Sequence, residues 1–272
     1  MEELVLALKQ ARQVVIFSGA GVSTSAGIPD YRSRETGLLV RGQTWRDINP
    51  EKARPTPAHH FAALLHSMGI LRRIFTQNID GLYQRAGLPE SMVVEWHGSL
   101  AGFNVIDFGG NFEDDIVQQA ARDLNEEVDV AIVMGTSLQV YPFAALPNMV
   151  SKKCRRFYLN REFSPECLVQ NRPTEGLYSS PYSHSAPIRI GARKKVKTGA
   201  TWYDSRYERA GKYRGKWRQY MIEGECDALC HQVIQEWDAH LVTAQWRRLV
   251  VTPPRELSSS CALPISMTTT VQ

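Results

Sequence analysis

The chain has 272 residues, 43% hydrophobic and 22% charged, with a formal net charge of +4, the balance of a globular protein able to bury a sizeable core. No apolar run approaches the ~18 residues of a membrane span, and Glu2 and Glu3 directly after Met1 do not read as a secretory leader. These features exclude a membrane partner and point to an intracellular protein, cytoplasmic or nuclear. Five cysteines (Cys154, Cys167, Cys226, Cys230, Cys261) are scattered and odd in number, which argues against a disulfide framework.

The first β-rich run, VVIF at 14–17, ends in Ser18-Gly19-Ala20-Gly21-Val22-Ser23-Thr24-Ser25-Ala26-Gly27. Such a turn lets backbone approach a pyrophosphate, with amides of the following helical turn as donors; a plain tight turn between strand and helix reads equally well. It is not the dehydrogenase fingerprint, because Thr24 stands where the third glycine is due. Ile28-Pro29-Asp30-Tyr31-Arg32-Ser33 follows, placing a carboxylate and a ring suited to a planar carboxamide beside a guanidinium suited to phosphate. An ordinary surface turn with a local ion pair is the alternative.

HHFAALLHSM has helical apolar spacing, and the strand pattern LRRIF (71–75) then runs into Thr76-Gln77-Asn78-Ile79-Asp80-Gly81. Polar amides and an acid at a strand end can hold ribose hydroxyls and a carboxamide, although Asp80 could equally cap the next helix. VVEW (93–96) delivers His97-Gly98-Ser99, a histidine with room beside it for general-base work near neutral pH or for a structural hydrogen bond. DDIVQQAARDLNEE and FAALPNMVSK read as helices around the strand VAIVM (130–134), and RRFYL (155–159) as a fifth strand. Strands alternating with helices predict a doubly wound, Rossmann-like parallel α/β sheet that binds ligands at the carboxyl ends of its strands.

From Ile188 to Arg218 eleven Lys and Arg stand against two acidic residues, a local +9. Trp202, Tyr203, Tyr207, Tyr213 and Trp217 interleave these charges, so a nucleic-acid partner is an open reading beside the simpler one of a solvated charge run. GECDALCHQVIQEW reads as a helix with Cys226 and Cys230 on one face, more consistent with two core thiols than with a metal pair. The tail from 252 reads as unstructured.

The strings GAGVSTSAGIPDYRS, TQNIDGL, HGS, GTSL and LNRE, in this order, resemble the sirtuin family of NAD-dependent protein lysine deacylases. The resemblance covers about 10–100 and 104–162, with a weaker return at Ile222–Trp237. It implies a catalytic NAD-binding body from 1–163 and 221–240 with a reduced small domain, a basic insertion at 164–220 and a tail at 252–272. Gly19, Ala20, Gly21 and Thr24 would form the phosphate loop, with Arg32 reaching phosphate and Tyr31 over a nicotinamide pocket near Ile28, Asp30 and Asp80. Gln77, Asn78, Ile79 and Asp80 would line the nicotinamide ribose and carboxamide. Gly135, Thr136 and Ser137 would meet the far phosphate and ribose, Asn160 and Arg161 the adenosine ribose, and Cys226 with Asp227 the adenine. His97 would be the general base, with Asn78 and Asp80 completing the catalytic set.

The implied reaction deacetylates lysine in proteins or peptides, histones included, releasing nicotinamide and O-acetyl-ADP-ribose. The substrate would add as a strand between Val105–Gly110 and Ser137–Tyr141, touching Ile106, Phe108, Gly109 and Val140. One departure is large. Where the family carries two CxxC pairs holding structural zinc, this chain has only Gly98–Asn104 without a cysteine, so zinc of that type is not expected and no metal ligand is assigned. Two further readings stay open: cleavage of NAD with ADP-ribose passed to water or protein, and an NAD-binding module with weak turnover.

Overall fold

The computed structural model describes residues 1–33, 37–102, 104–106, 114–124, 127–162 and 218–237, with isolated positions between 242 and 249. All five β-rich runs form strands: β1 (Val14–Ser18), β2 (Leu71–Thr76), β3 (Val93–Glu95), β4 (Val130–Met134) and β5 (Arg155–Asn160). A sixth, β6 (Arg218–Glu223), pairs with β5 from Arg155 opposite Arg218 to Asn160 opposite Glu223. The order is β3-β2-β1-β4-β5-β6, and every neighbouring pair is parallel. Strand order therefore reverses between β1 and β4, the doubly wound arrangement expected from the alternation.

β1 and β4 are buried along their whole length, as strands covered on both faces must be. Alternate residues then serve two cores. Val14 and Ile16, with Ile74, Ile132 and Leu159, pack under α1 (Glu2–Gln10), α2 (Pro57–Ser67) and α5 (Cys226–Trp237). Val15 and Phe17, with Phe75, Trp96, Val133 and Tyr158, face Ala120 of α4 (Asp114–Asp123) and the turn around Phe143. Arg73 on β2 fastens α4 by bonding Asp123 through Nε (2.5 Å) and Nη2 (3.2 Å). No helix among the described residues is long and apolar enough to cross a membrane.

Two expectations need correction. The basic segment does not run to 220, because Arg218, Gln219 and Tyr220 begin β6, and Tyr220 stacks on Phe157 with ring centroids 4.6 Å apart. FAALPNMVSK forms only a 3₁₀ segment, Phe143–Asn148, since Pro147 has no N–H to continue an α-helix. The remainder of the basic segment and the tail lie outside the described residues.

Candidate functional site

The parallel strands bring their carboxyl ends to one edge, and the loops there meet through backbone contact. Gly21 N–H donates to Gly135 O at 2.8 Å. A Cβ on Gly21 would stand 2.7 Å from Gly135 Cα, and one on Gly135, whose φ is +63°, only 2.6 Å from Val22 N. Gly19 is equally confined, with Gln77 Oε1 and Thr136 Cβ each 2.8 Å from its missing Cβ. These glycines let the loop after β1 lie directly on the loop after β4, at the point where strand order reverses. Thr136 Oγ1 and Gln77 Oε1 join at 2.6 Å, and Asn160 braces Thr136 from β5, accepting its N–H at 3.1 Å and donating to its carbonyl at 2.8 Å.

A buried polar group forms behind this edge. Ser23 Oγ–H donates to Asp80 Oδ2 at 2.7 Å and accepts from Asn78 Nδ2 at 2.9 Å. Asp80 Oδ1 accepts Leu82 N–H at 2.9 Å, at the start of α3 (Leu82–Arg85). Asp80 is therefore both a cap and a member of the group, so the two readings of it coincide. Burial raises its carboxyl above the ordinary carboxylate range, against the lowering effect of these donors. Arg85 holds the adjacent loop by donating to the carbonyls of Pro50, Ala53 and Asp80.

His97, two residues past the end of β3, is half-buried, with its ring 6.4 Å from that of Phe143. Its Nδ1 lies 3.2 Å from Gln77 O. A carbonyl only accepts, so Nδ1 carries the proton and the neutral ring keeps its basic lone pair on Nε2. Burial holds the imidazole below its ordinary value, opposed by the bond to Gln77 O. A neutral imidazole with a fixed tautomer at a strand end can take a proton from a hydroxyl placed beside it.

Other expected residues sit differently. Asp30 spends its carboxylate on its own turn, accepting Arg32 N–H (3.0 Å), Ser33 N–H (2.7 Å) and the Ser33 hydroxyl. Arg32 is exposed and donates to Gln139 Oε1; Tyr31 lies in the same turn, and Ile28 beside it is buried. Ser137–Tyr141 is not an extended edge, because Leu138 adopts φ +52° with its N–H on Thr136 Oγ1, and Val140 O accepts from Ala144 N. Ile106 is held to the catalytic candidate itself, donating its N–H to His97 O at 2.9 Å. Phe108 and Gly109 lie outside the described residues.

Of the residues expected near the adenine, Cys226 turns into the core, donating to Leu159 O, and burial pushes its thiol up to about 12. Asp227 bridges two elements by accepting the Ser25 hydroxyl and Ala58 N–H. Arg161 pairs with Glu225 at 3.5 Å in the open. Residues given no role from sequence prove central: Ser23, Thr56, His59 and Arg85. A Thr-Pro-Ala-His cap pattern before α2 was the available signal for two of them.

The donor set fits an anionic, amide-bearing dinucleotide. Two short helical turns open at Ala20 and Thr24, whose first amides have no acceptor within the turn. Gln77, Asn78 and Asn160 bring amide side chains to the same edge. Among the described residues no group of three or more His, Cys, Asp or Glu is placed to hold a metal.

Comparison with known proteins supplies the chain's relatives. Residues 42–107 match the model of the Sir2 family. The chain is 33% identical to the NAD-dependent protein deacetylase HST2 of Candida albicans, over 57% of this chain and 65% of that one. Identity is 30% with the NAD-dependent protein deacetylase hst2 of Schizosaccharomyces pombe (60% and 67% covered) and 31% with the NAD-dependent protein deacylase 2 of Pyrobaculum aerophilum (53% and 78%). The chain thus spans just under two thirds of the Candida protein's length. A solved Sir2 variant with a deacetylated p53 peptide and 3′-O-acetyl ADP ribose shares the fold, with a TM-score of 0.52 at 24% identity, over 61% of this chain and 88% of that one. With relatives at 30% identity or more matched over two thirds or more of their own length, the chain belongs to the Sir2 family.

Proposed function

We propose that this protein is an NAD-dependent protein lysine deacetylase that converts acetylated lysine, histone lysines included, to free lysine. The observation that carries the reading is His97. Its Nδ1 is committed to Gln77 O, and its ring is kept neutral by burial at the same strand-end edge as Asn78 and Asp80. NAD, bound as co-substrate, supplies the ribose that receives the acetyl group and the nicotinamide that departs. Gly19, Ala20, Gly21 and Thr24 would face the phosphates; Gln77, Asn78, Ile79 and Asp80 the nicotinamide ribose; and Thr136, Ser137, Asn160 and Arg161 the adenosine half. His97 would take the proton of a ribose hydroxyl, and Ile106 and Val140 would flank the acetylated peptide together with Phe108 and Gly109. Names of relatives as NAD-dependent deacetylases support the assignment.

This reading includes a body braced without structural zinc. Supporting it, the link after His97 closes on itself: Gly98 takes φ +79°, Ser99 N–H reaches Asn104 Oδ1 at 3.0 Å, and Ile106 returns to His97 O. Elemental analysis of purified protein tests this; one equivalent of zinc per chain would refute it.

The central test compares wild type with His97→Ala, assaying an acetylated peptide and NAD for both deacetylated peptide and nicotinamide. A loss of about 10²–10⁴-fold in turnover is expected. Unchanged turnover would sink the assignment of His97. Nicotinamide released equally well without peptide would instead indicate hydrolysis or ADP-ribosyl transfer.

A further inference from the structure

α2 carries a histidine that the reaction above does not use. His59 is fully buried, its ring 4.6 Å from that of Tyr83. Thr56 N–H donates to its Nδ1 at 3.1 Å. A backbone amide can only donate, so Nδ1 holds a lone pair and the neutral ring must carry its hydrogen on Nε2. The Thr56 hydroxyl, 2.8 Å from the same nitrogen, gives its proton to Val22 O. Nε2–H then faces Ser23 Oγ at 3.5 Å, a long contact whose effect falls on the direction of the serine hydroxyl more than on stability.

The consequence propagates. With an N–H aimed at Ser23, the serine's one proton goes to Asp80 Oδ2 rather than back to the ring. That oxygen can then meet Asn78 only as an acceptor, which turns Nδ2 of Asn78 inward and leaves Oδ1 for another donor. We propose that His59 is a positioning residue, which through Ser23 sets the amide orientation of Asn78 and the seat of Asp80. This rests on the deacetylase reading for its effect on rate, but not for the tautomer it requires.

The two ring nitrogens can be tested separately. His59→Asn keeps an acceptor near the Nδ1 position and removes the donor toward Ser23. His59→Gln restores an N–H near the Nε2 position. The expected result is a turnover loss of about 10- to 100-fold in His59→Asn, the range for a misplaced reacting group, with most of that loss recovered in His59→Gln. A purely structural role in capping α2 predicts the reverse order, with His59→Asn the better variant in both melting temperature and turnover. That reverse order, or wild-type turnover in His59→Asn, overturns the proposal.

Nitrogen-15 correlation spectra of the wild-type ring at neutral pH give a readout independent of activity. The hydrogen is expected on Nε2; a ring protonated on Nδ1 overturns the proposal even if both variants fail to fold. A wild type without deacetylation would refute the function above while leaving the spectrum to decide the role of His59.

Discussion

Two carboxylates expected to serve the same pocket live in opposite surroundings. Asp80 is 8% exposed and bonds residues from separate parts of the chain, Ser23 on one side and Leu82 on the other. Among the described residues the Asp30 carboxylate bonds Arg32 and Ser33 of its own turn, next to an exposed arginine. The first holds tertiary structure together, while the second shapes a local bend that water can reach. The same residue type therefore carries different energies, because an unmet donor costs far more where water cannot replace the lost partner.

The largest effect expected to sharpen this contrast comes from Asp80→Asn. An amide offers one acceptor where Leu82 N–H and Ser23 O–H need two, leaving a buried donor facing a donor. Urea unfolding should show a loss of about 1–3 kcal/mol, with reduced deacetylation. A loss as small as that of a surface change would erase the distinction.

Acid should also act on the buried side. Burial lowers His59 from 6.5 to about 3, so between these values the unfolded chain binds the extra proton and the folded one does not. Stability contributed by neutral His59 is thus full above about 6.5 and lost as pH falls toward 3. Thermal melts across that window should show this decline, and His59→Gln should flatten it. An unaltered slope in the variant would assign the acid sensitivity elsewhere.

Activity should respond in the same direction. His97 must be neutral to accept a proton, and burial holds its pKa below the ordinary value. The acidic limb of kcat/KM for deacetylation is expected to have its midpoint below about 6.5, the value of a free histidine. A midpoint above it would contradict the burial argument.

Smallest of all should be Asp30→Asn. One amide oxygen still accepts both backbone N–H groups, and the Ser33 hydroxyl can rotate to accept from the amide nitrogen. Stability should stay within about 0.5 kcal/mol of wild type by the same urea measurement. A loss equal to that of Asp80→Asn would break the contrast at the Asp30 end.

Much of this was legible along the chain. Runs such as VVIF and VAIVM are continuous, β-branched and bounded by turn residues, so five of the six strands among the described residues and the parallel class follow from local pattern. β6 was hidden because RQYMIE adjoins a long basic stretch, and its pairing with β5 supplies what composition does not. The glycines also changed meaning. Gly21 and Gly135 lie 114 positions apart in sequence, and their backbone contact appears only when strand order reverses.

By itself the sequence determined which chemistry was available: a glycine-rich turn, the amides and acid of TQNID, and a histidine after a strand, each at a strand's carboxyl end. Their order along the chain carries that information because parallel strands deliver every such end to one edge. Only the tertiary structure decided which acid is a cap with a reach, which tautomer His97 keeps, and that Ser23 and His59 meet. Hydrogen-bond direction depends on what each atom faces across the fold, and spacing along the chain does not encode it.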